Sequence, residues 1–123
     1  MKVFTDGASR GNPGLAGIGI YSPNKIKHKK FLGRATNNIA EYTAVLEALK
    51  IIKEENLEFY LDSELAVKQL NKEYKVKNKE IKKIYEQIQE LVKGRKVTFE
   101  WIPREENKEA DALANQAIDS KAF

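Results

Sequence analysis

The chain has 123 residues, 41% of them hydrophobic and 33% charged, with a formal net charge of +4. That length suits one core and is too short for two, so a single domain over 1–123 is expected. The absence of cysteine excludes disulfides, thiol nucleophiles and thiolate-bound zinc. No apolar run approaches the ~18 residues of a membrane span. The N-terminus enters a strand-like segment without a signal peptide, so a cytoplasmic protein with no membrane partner is expected.

Charge placement says more than its sum. Lys25 to Arg34 holds five basic residues and no acid, and Lys68 to Lys96 holds ten basic and four acidic ones. Two basic zones suggest a polyanionic partner. A Lys/Glu-rich surface of the kind found in thermostable proteins accounts equally for the second zone.

In chain order, Met1 to Thr5 predicts a strand, and Asp6 to Gly14 a turn punctuated by glycine and proline. Ala16 to Ser22 predicts a second strand, Ser22-Pro23-Asn24 a turn, and Ile26 to Leu32 a third strand with a charged face. Ile39, Tyr42, Leu46, Leu49 and Ile52 repeat at helical spacing over about Asn38 to Glu55. Glu58 to Leu61 predicts a strand, and Ser63 to Leu70 a short helix. Lys79 to Lys93 predicts an amphipathic helix that Gly94 ends. Lys96 to Ile102 predicts the fifth strand and Glu106 to Ile118 the last helix. The order βββαβααβα implies an α/β fold. Its mixed five-stranded sheet combines a three-strand antiparallel meander with two parallel crossover strands, flanked by helices.

Four carboxylates stand where these elements can aim them at one point: Asp6, Glu41, Asp62 and Asp111. Like charges at 4 Å repel by roughly 4 kcal/mol per pair at an effective dielectric near 20. Divalent cations relieve that repulsion, and an all-oxygen set suits Mg²⁺. Each acid also has a structural alternative. Asn38 and Glu41 have the spacing of a variant capping box, and Asp62 could cap a helix. Asp6-Gly7 could be a turn, and Asp111 an exposed acid favoured by a helix dipole.

The surrounding motifs are specific. Asp6-Gly7-Ala8-Ser9-Arg10-Gly11-Asn12-Pro13-Gly14 resembles the opening motif of type 1 ribonuclease H. Thr36-Asn37-Asn38-Ile39-Ala40-Glu41 is similar to that family's second motif, Asp62-Ser63 to its third, and Asn107 to Ala114 to its fourth. The matches occur in order across nearly the whole chain. The resemblance implies a ribonuclease H-like fold. It also implies an endonuclease that cuts the RNA strand of RNA/DNA hybrids by a two-metal mechanism, leaving 5′-phosphate and 3′-hydroxyl ends. Asp6, Glu41, Asp62 and Asp111 would hold two Mg²⁺ ions, with Mn²⁺ as a substitute. By the same match, Gly7, Ala8 and Ser9 lie against the minor groove. Asn12, Asn37 and Asn38 read groove edges or 2′-hydroxyls. Arg34, Thr36 and Asn78 form a pocket for a phosphate of the DNA strand, although a helix cap explains Asn78 equally well.

The chain departs from the family pattern in places. The segment before the fourth motif, Ile102 to Asn107, is short and lacks the histidine many members carry there. Arg104 lies near that place and is a candidate for contact with the scissile phosphate. A guanidinium stays protonated, so it is not a general base. The Lys-rich stretch Asn71 to Lys83 is too short for the family's basic protrusion, and Glu64 follows Asp-Ser where a neutral residue is common. His28 reads as a surface residue, and Trp101 as partly core, with lining of the cleft as its alternative. This compact form resembles archaeal-like members, some of which also cut duplex RNA, and a monomer is expected. Two other functions compete: a binding module with damaged catalysis, and a DNA-directed nuclease of the same superfamily.

Overall fold

The computed structural model describes residues 1–121. Its strands are β1 (Lys2–Arg10), β2 (Gly14–Ser22), β3 (Ile26–Ala35), β4 (Asn56–Leu61) and β5 (Lys96–Trp101). Its helices are α1 (Asn37–Ile51), α2 (Glu64–Leu70), α3 (Lys79–Val92) and α4 (Lys108–Asp119), with a 3₁₀ turn at Arg104–Glu106. The sheet order is β3-β2-β1-β4-β5. The first three strands pair antiparallel, and β4 runs parallel to both β1 and β5. The expected meander and parallel crossovers are therefore both present, in a ribonuclease H-like fold.

Period-2 alternation assigns the faces of the sheet. Leu57, Phe59 and Leu61 of β4 are buried, as are Val3 of β1 and Ile18 and Ile20 of β2. Gly7 pairs with Ile18, and a Cβ on Gly7 would lie 2.1 Å from the Ala40 carbonyl carbon, so this face carries α1. Gly19 faces the other way, and a Cβ there would lie 2.1 Å from the Ala110 carbonyl oxygen, so α4 covers the opposite face. Both helices approach backbone to backbone, which only glycine permits. Tyr42, Val45 and Leu49 of α1 join Ile81 and Ile88 of α3 in the core under the first face. Each large apolar side chain buried there stabilises the fold by about 1.5–3 kcal/mol.

Several element boundaries differ from expectation, among them the end of β3, which runs to Ala35 past the expected Leu32. The first strand does not turn at Asp6. It stays paired with β2 from Phe4↔Tyr21 to Arg10↔Leu15, and only Gly11 to Pro13 reverse the chain. Gly7 thus serves helix packing, not a turn. Helix α1 ends at Ile51, short of Glu55. The Arg95 guanidinium donates to the carbonyls of Ile52 at 2.8 Å and Glu54 at 2.6 Å, and to that of Leu49 at 3.4 Å. A cation on those carbonyls supplies the C-terminal cap. Helix α4 begins at Lys108, because Arg104–Glu106 closes as a separate 3₁₀ turn. The Lys-rich stretch after α2 is a connection from Asn71 to Asn78, with no helix of its own before α3.

Candidate metal-binding active site

Asp6 pairs with Gly19 across β1 and β2, so alternation turns its side chain toward the α4 face. Glu41 lies one turn into α1, which Thr36 caps by accepting from the Ile39 amide at 3.2 Å. Asp62 follows β4, and Ser63 caps α2 by accepting from the Ala66 amide at 3.2 Å. Thr36 and Ser63 thus do the capping that Asn38 and Asp62 could have done. Carboxylate oxygens of Asp6, Glu41 and Asp62 lie within 4.8 Å of one another. Asp111, in the first turn of α4, sits beside Asp6 but outside that trio.

The trio is held from behind. The Gly7 amide donates to Glu41 Oε1 at 2.6 Å. Asn107 Nδ2 donates to Asp62 Oδ2 at 3.0 Å, and Trp101 Nε1 donates to the Asp62 carbonyl at 3.3 Å. Trp101 is half exposed, so its indole marks the rim of the site and not the core. Asp111 receives the Asn115 side-chain amide on its carbonyl at 3.0 Å.

Burial dominates the electrostatics. Asp6 is 3% exposed, and burial pushes its carboxyl from 3.8 up to about 11. The hydrogen bond to Glu41 and the charges of Glu41 and Asp62 push the same way. Burial also raises Glu41, while hydrogen bonds from Asp6 and the Gly7 amide oppose the rise, with help from the Arg104 charge. Burial and the neighbouring carboxylates therefore favour a protonated Asp6 in the metal-free site. Arg104 itself is exposed on the 3₁₀ turn, close enough for its charge to be felt at Glu41.

An all-oxygen donor set fits a hard divalent cation. Glu41 Oε2 strengthens the fit, because it is buried with no hydrogen-bond partner. An orphaned buried carboxylate oxygen is costly unless something ligates it. His28 is half-buried on β3 and belongs to no metal-ligand group among the described residues.

The other expected contact residues fall into three sets. Ser9, Asn12 and Asn37 are knitted together: the Ser9 amide donates to Asn37 Oδ1 at 2.9 Å, and the Asn37 amide to Asn12 Oδ1 at 2.9 Å. Ser9 Oγ also donates to the Ala35 carbonyl at 2.6 Å. Gly7 and Ala8 lie on β1 beside them. Asn38 and Asn78 line one shallow cavity of about 230 Å³ between α1 and α3. Asn78 also caps α3, accepting from the amides of Glu80 at 2.9 Å and Ile81 at 3.0 Å. Arg34 is exposed on the edge strand β3, opposite Leu15. Asn107 had been visible only as part of a motif. Its side chain, fully buried against Asp62, gave no sequence signal beyond an asparagine four residues before an aspartate.

Residues 1–119 match the family model described as RNase H. The chain belongs to the RNase H family. It is 36% identical to ribonuclease HI of Halobacterium salinarum over 97% of this chain and 64% of that protein. The crystal structure of RNase H1 from the same organism superposes with a TM-score of 0.90 at 35% identity, covering 97% of both chains. LC11-RNase H1, solved in complex with an RNA/DNA hybrid, gives a TM-score of 0.88 at 34% identity over 99% of both chains. The bifunctional protein Rv2228c of Mycobacterium tuberculosis is 41% identical over 99% of this chain. The chain spans 37% of the length of that relative.

Proposed function

We propose that the protein is a metal-dependent endonuclease that hydrolyses the RNA strand of RNA/DNA hybrids. One observation carries the reading: in a chain of the RNase H family, three carboxylates from β1, α1 and the end of β4 bring oxygens within 4.8 Å of one another. The hybrid bound to LC11-RNase H1 supports the choice of substrate. Asp6, Glu41 and Asp62, with Asp111 beside them, would hold two Mg²⁺ ions, and Mn²⁺ would substitute. When bound, such ions lower the pKa of a water and neutralise charge on the leaving oxygen.

The chain's own residues prepare that site. The Gly7 amide fixes one Glu41 oxygen and leaves the other free to ligate. Asp6 must release its proton before a cation enters, so loading depends on pH. Arg104 supplies a positive charge at the rim that favours the approach of a phosphate. The edge built by Ser9, Asn12 and Asn37, with Asn38 next in the chain, offers amides to 2′-hydroxyls of the RNA strand. Arg34, Thr36 and Asn78 would receive a phosphate of the DNA strand. Thr36 and Asn78 are already placed by their capping bonds. The products would be a 5′-phosphate and a 3′-hydroxyl.

The test is a Mg²⁺-dependent cleavage assay on labelled RNA/DNA hybrid, duplex RNA, duplex DNA and single-stranded RNA, with Asp6→Asn as the blank. Cleavage confined to the RNA of the hybrid and lost in the variant is expected. Added cleavage of duplex RNA would mark a broader enzyme. Binding without cleavage, in either Mg²⁺ or Mn²⁺, would refute the reading.

A further inference from the structure

Asn107 is fully buried and sits at the N-cap position of α4, yet its side chain makes no capping bond. Asparagine is among the preferred capping residues, so an unused cap at that position calls for another role. The amide is turned inward. Nδ2 donates to the Thr5 carbonyl at 3.0 Å and to Asp62 Oδ2 at 3.0 Å. Both partners are acceptors, which settles which end of the amide is the nitrogen. The backbone of Asn107 is engaged too. Its N–H donates to the Arg104 carbonyl at 2.9 Å, and its carbonyl accepts the Asp111 amide at 3.1 Å.

One residue therefore touches the neighbour of Asp6, the carboxylate of Asp62, the backbone of Asp111 and the backbone of Arg104. We infer that Asn107 is the positioning residue of the carboxylate site, resting on the nuclease reading above for what that site does. Its side-chain amide ties one Asp62 oxygen to the Thr5 carbonyl of β1, next to Asp6, and leaves the other oxygen to the carboxylate cluster. Without it, mutual repulsion would swing Asp62 toward solvent, since the Asp62 side chain is only half-buried. Groups that orient metal ligands from behind are worth about 10–100-fold in metal affinity or activity.

The test uses the full chain and two readouts. Mn²⁺ titration calorimetry compares the parent with Asn107→Ala at matched folded fraction, judged by thermal melting. The expected result is a Kd weakened by about 10–100-fold, with kcat on the hybrid falling alike and KM within about threefold. A structural brace alone would lower the melting temperature and leave the Mn²⁺ Kd of the folded molecules unchanged, which would overturn the inference. If Asn107→Ala does not fold, NMR on the unmutated chain decides. The Asn107 side-chain amide resonances should move with Mg²⁺ at the same midpoint as the Gly7 amide, and their standing still at saturation would overturn it. Hybrid cleavage with Mn²⁺ affinity indifferent to Asn107 would sink this role and spare the nuclease. Asn107-dependent Mn²⁺ binding without cleavage would do the reverse. A parent chain that binds no Mn²⁺ would overturn both.

Discussion

Replacing Asp6 by asparagine should make the metal-free protein more stable at neutral pH. Left ionised, Asp6 would face Glu41 and Asp62, each within 4.8 Å. At an effective dielectric near 20, two such neighbours cost about 7 kcal/mol together, before the cost of burial. Keeping the proton at pH 7, against an unfolded value of 3.8, costs about 4 kcal/mol. Protonation is the cheaper course, so about 4 kcal/mol is the ceiling on what Asp6 costs the fold. An asparagine keeps a polar side chain of the same size at this position without holding a titrating proton. The expected gain is about 2–4 kcal/mol, or roughly 8–15 °C in Tm for a domain of this size. Between about pH 4 and the raised folded value, the native state holds one more proton than the unfolded state. Stability of the parent therefore falls with rising pH by about 1.4 kcal/mol per unit relative to Asp6→Asn. Saturating Mg²⁺ should narrow the gap by stabilising the parent. Thermal melts in chelator at pH 5, 6, 7 and 8 measure this directly. A variant no more stable than the parent at pH 7, or a difference that does not change with pH, would refute the account of a protonated Asp6.

Other perturbations probe other parts of the structure. Gly7→Ala places a Cβ 2.1 Å from the backbone of Ala40, so α1 must shift; a loss of about 3 kcal/mol or outright misfolding is expected in denaturant titration. Asn78→Ala should cost about 1 kcal/mol through the lost cap, whereas Asn78→Asp keeps the cap and should instead raise KM for the hybrid several-fold by repelling phosphate. Arg104→Ala should leave the melting temperature within about 1 °C, as for most surface changes, and lower hybrid turnover several-fold; unchanged turnover would remove Arg104 from the site. Hybrid affinity should fall steeply with salt, because a chain with only a short connection between α2 and α3 relies on phosphate contacts; a flat salt titration would count against that reliance.

The sequence disclosed topology and motifs more readily than element ends or side-chain partners. Period-2 runs such as Leu57-Glu58-Phe59-Tyr60-Leu61 and the helical repeat from Ile39 to Leu49 are local signals, and both proved correct in type. Residues Asp6 to Arg10 misled, because glycine next to aspartate reads locally as a turn. The requirement for Gly7 comes from a helix more than thirty residues away, and no local pattern carries it. The end of α1 was missed for the same reason: its cap is the Arg95 guanidinium, supplied from the turn before β5. Of the four carboxylates, the three that converge lie on or next to elements whose packing fixes them, while Asp111 sits in a first helical turn, half-buried and outside the trio. Thr36 and Asn78 were expected as substrate contacts only by family likeness; the structure shows the cap at Thr36 and bears out the helix cap that the sequence already offered for Asn78.

The arrangement of glycines explains how so small a domain can keep repelling acids together. The carboxylates come from four separate segments, so Coulomb repulsion would be relieved by any slack between them. Slack is removed where the sheet has no side chains. Gly7 lets α1 rest on β1 with Glu41 bonded to its amide, and Gly19 lets α4 rest on β2 with Asp111 beside Asp6. Those contacts lie on opposite faces of the sheet, so α1 and α4 press toward Asp6 from both sides. Core burial by Tyr42, Val45, Leu49 and Phe59 supplies the stabilisation that holds this geometry against repulsion. A site assembled in this way is electrostatically unfavourable when empty, and a hard cation that neutralised it would bind with little reorganisation.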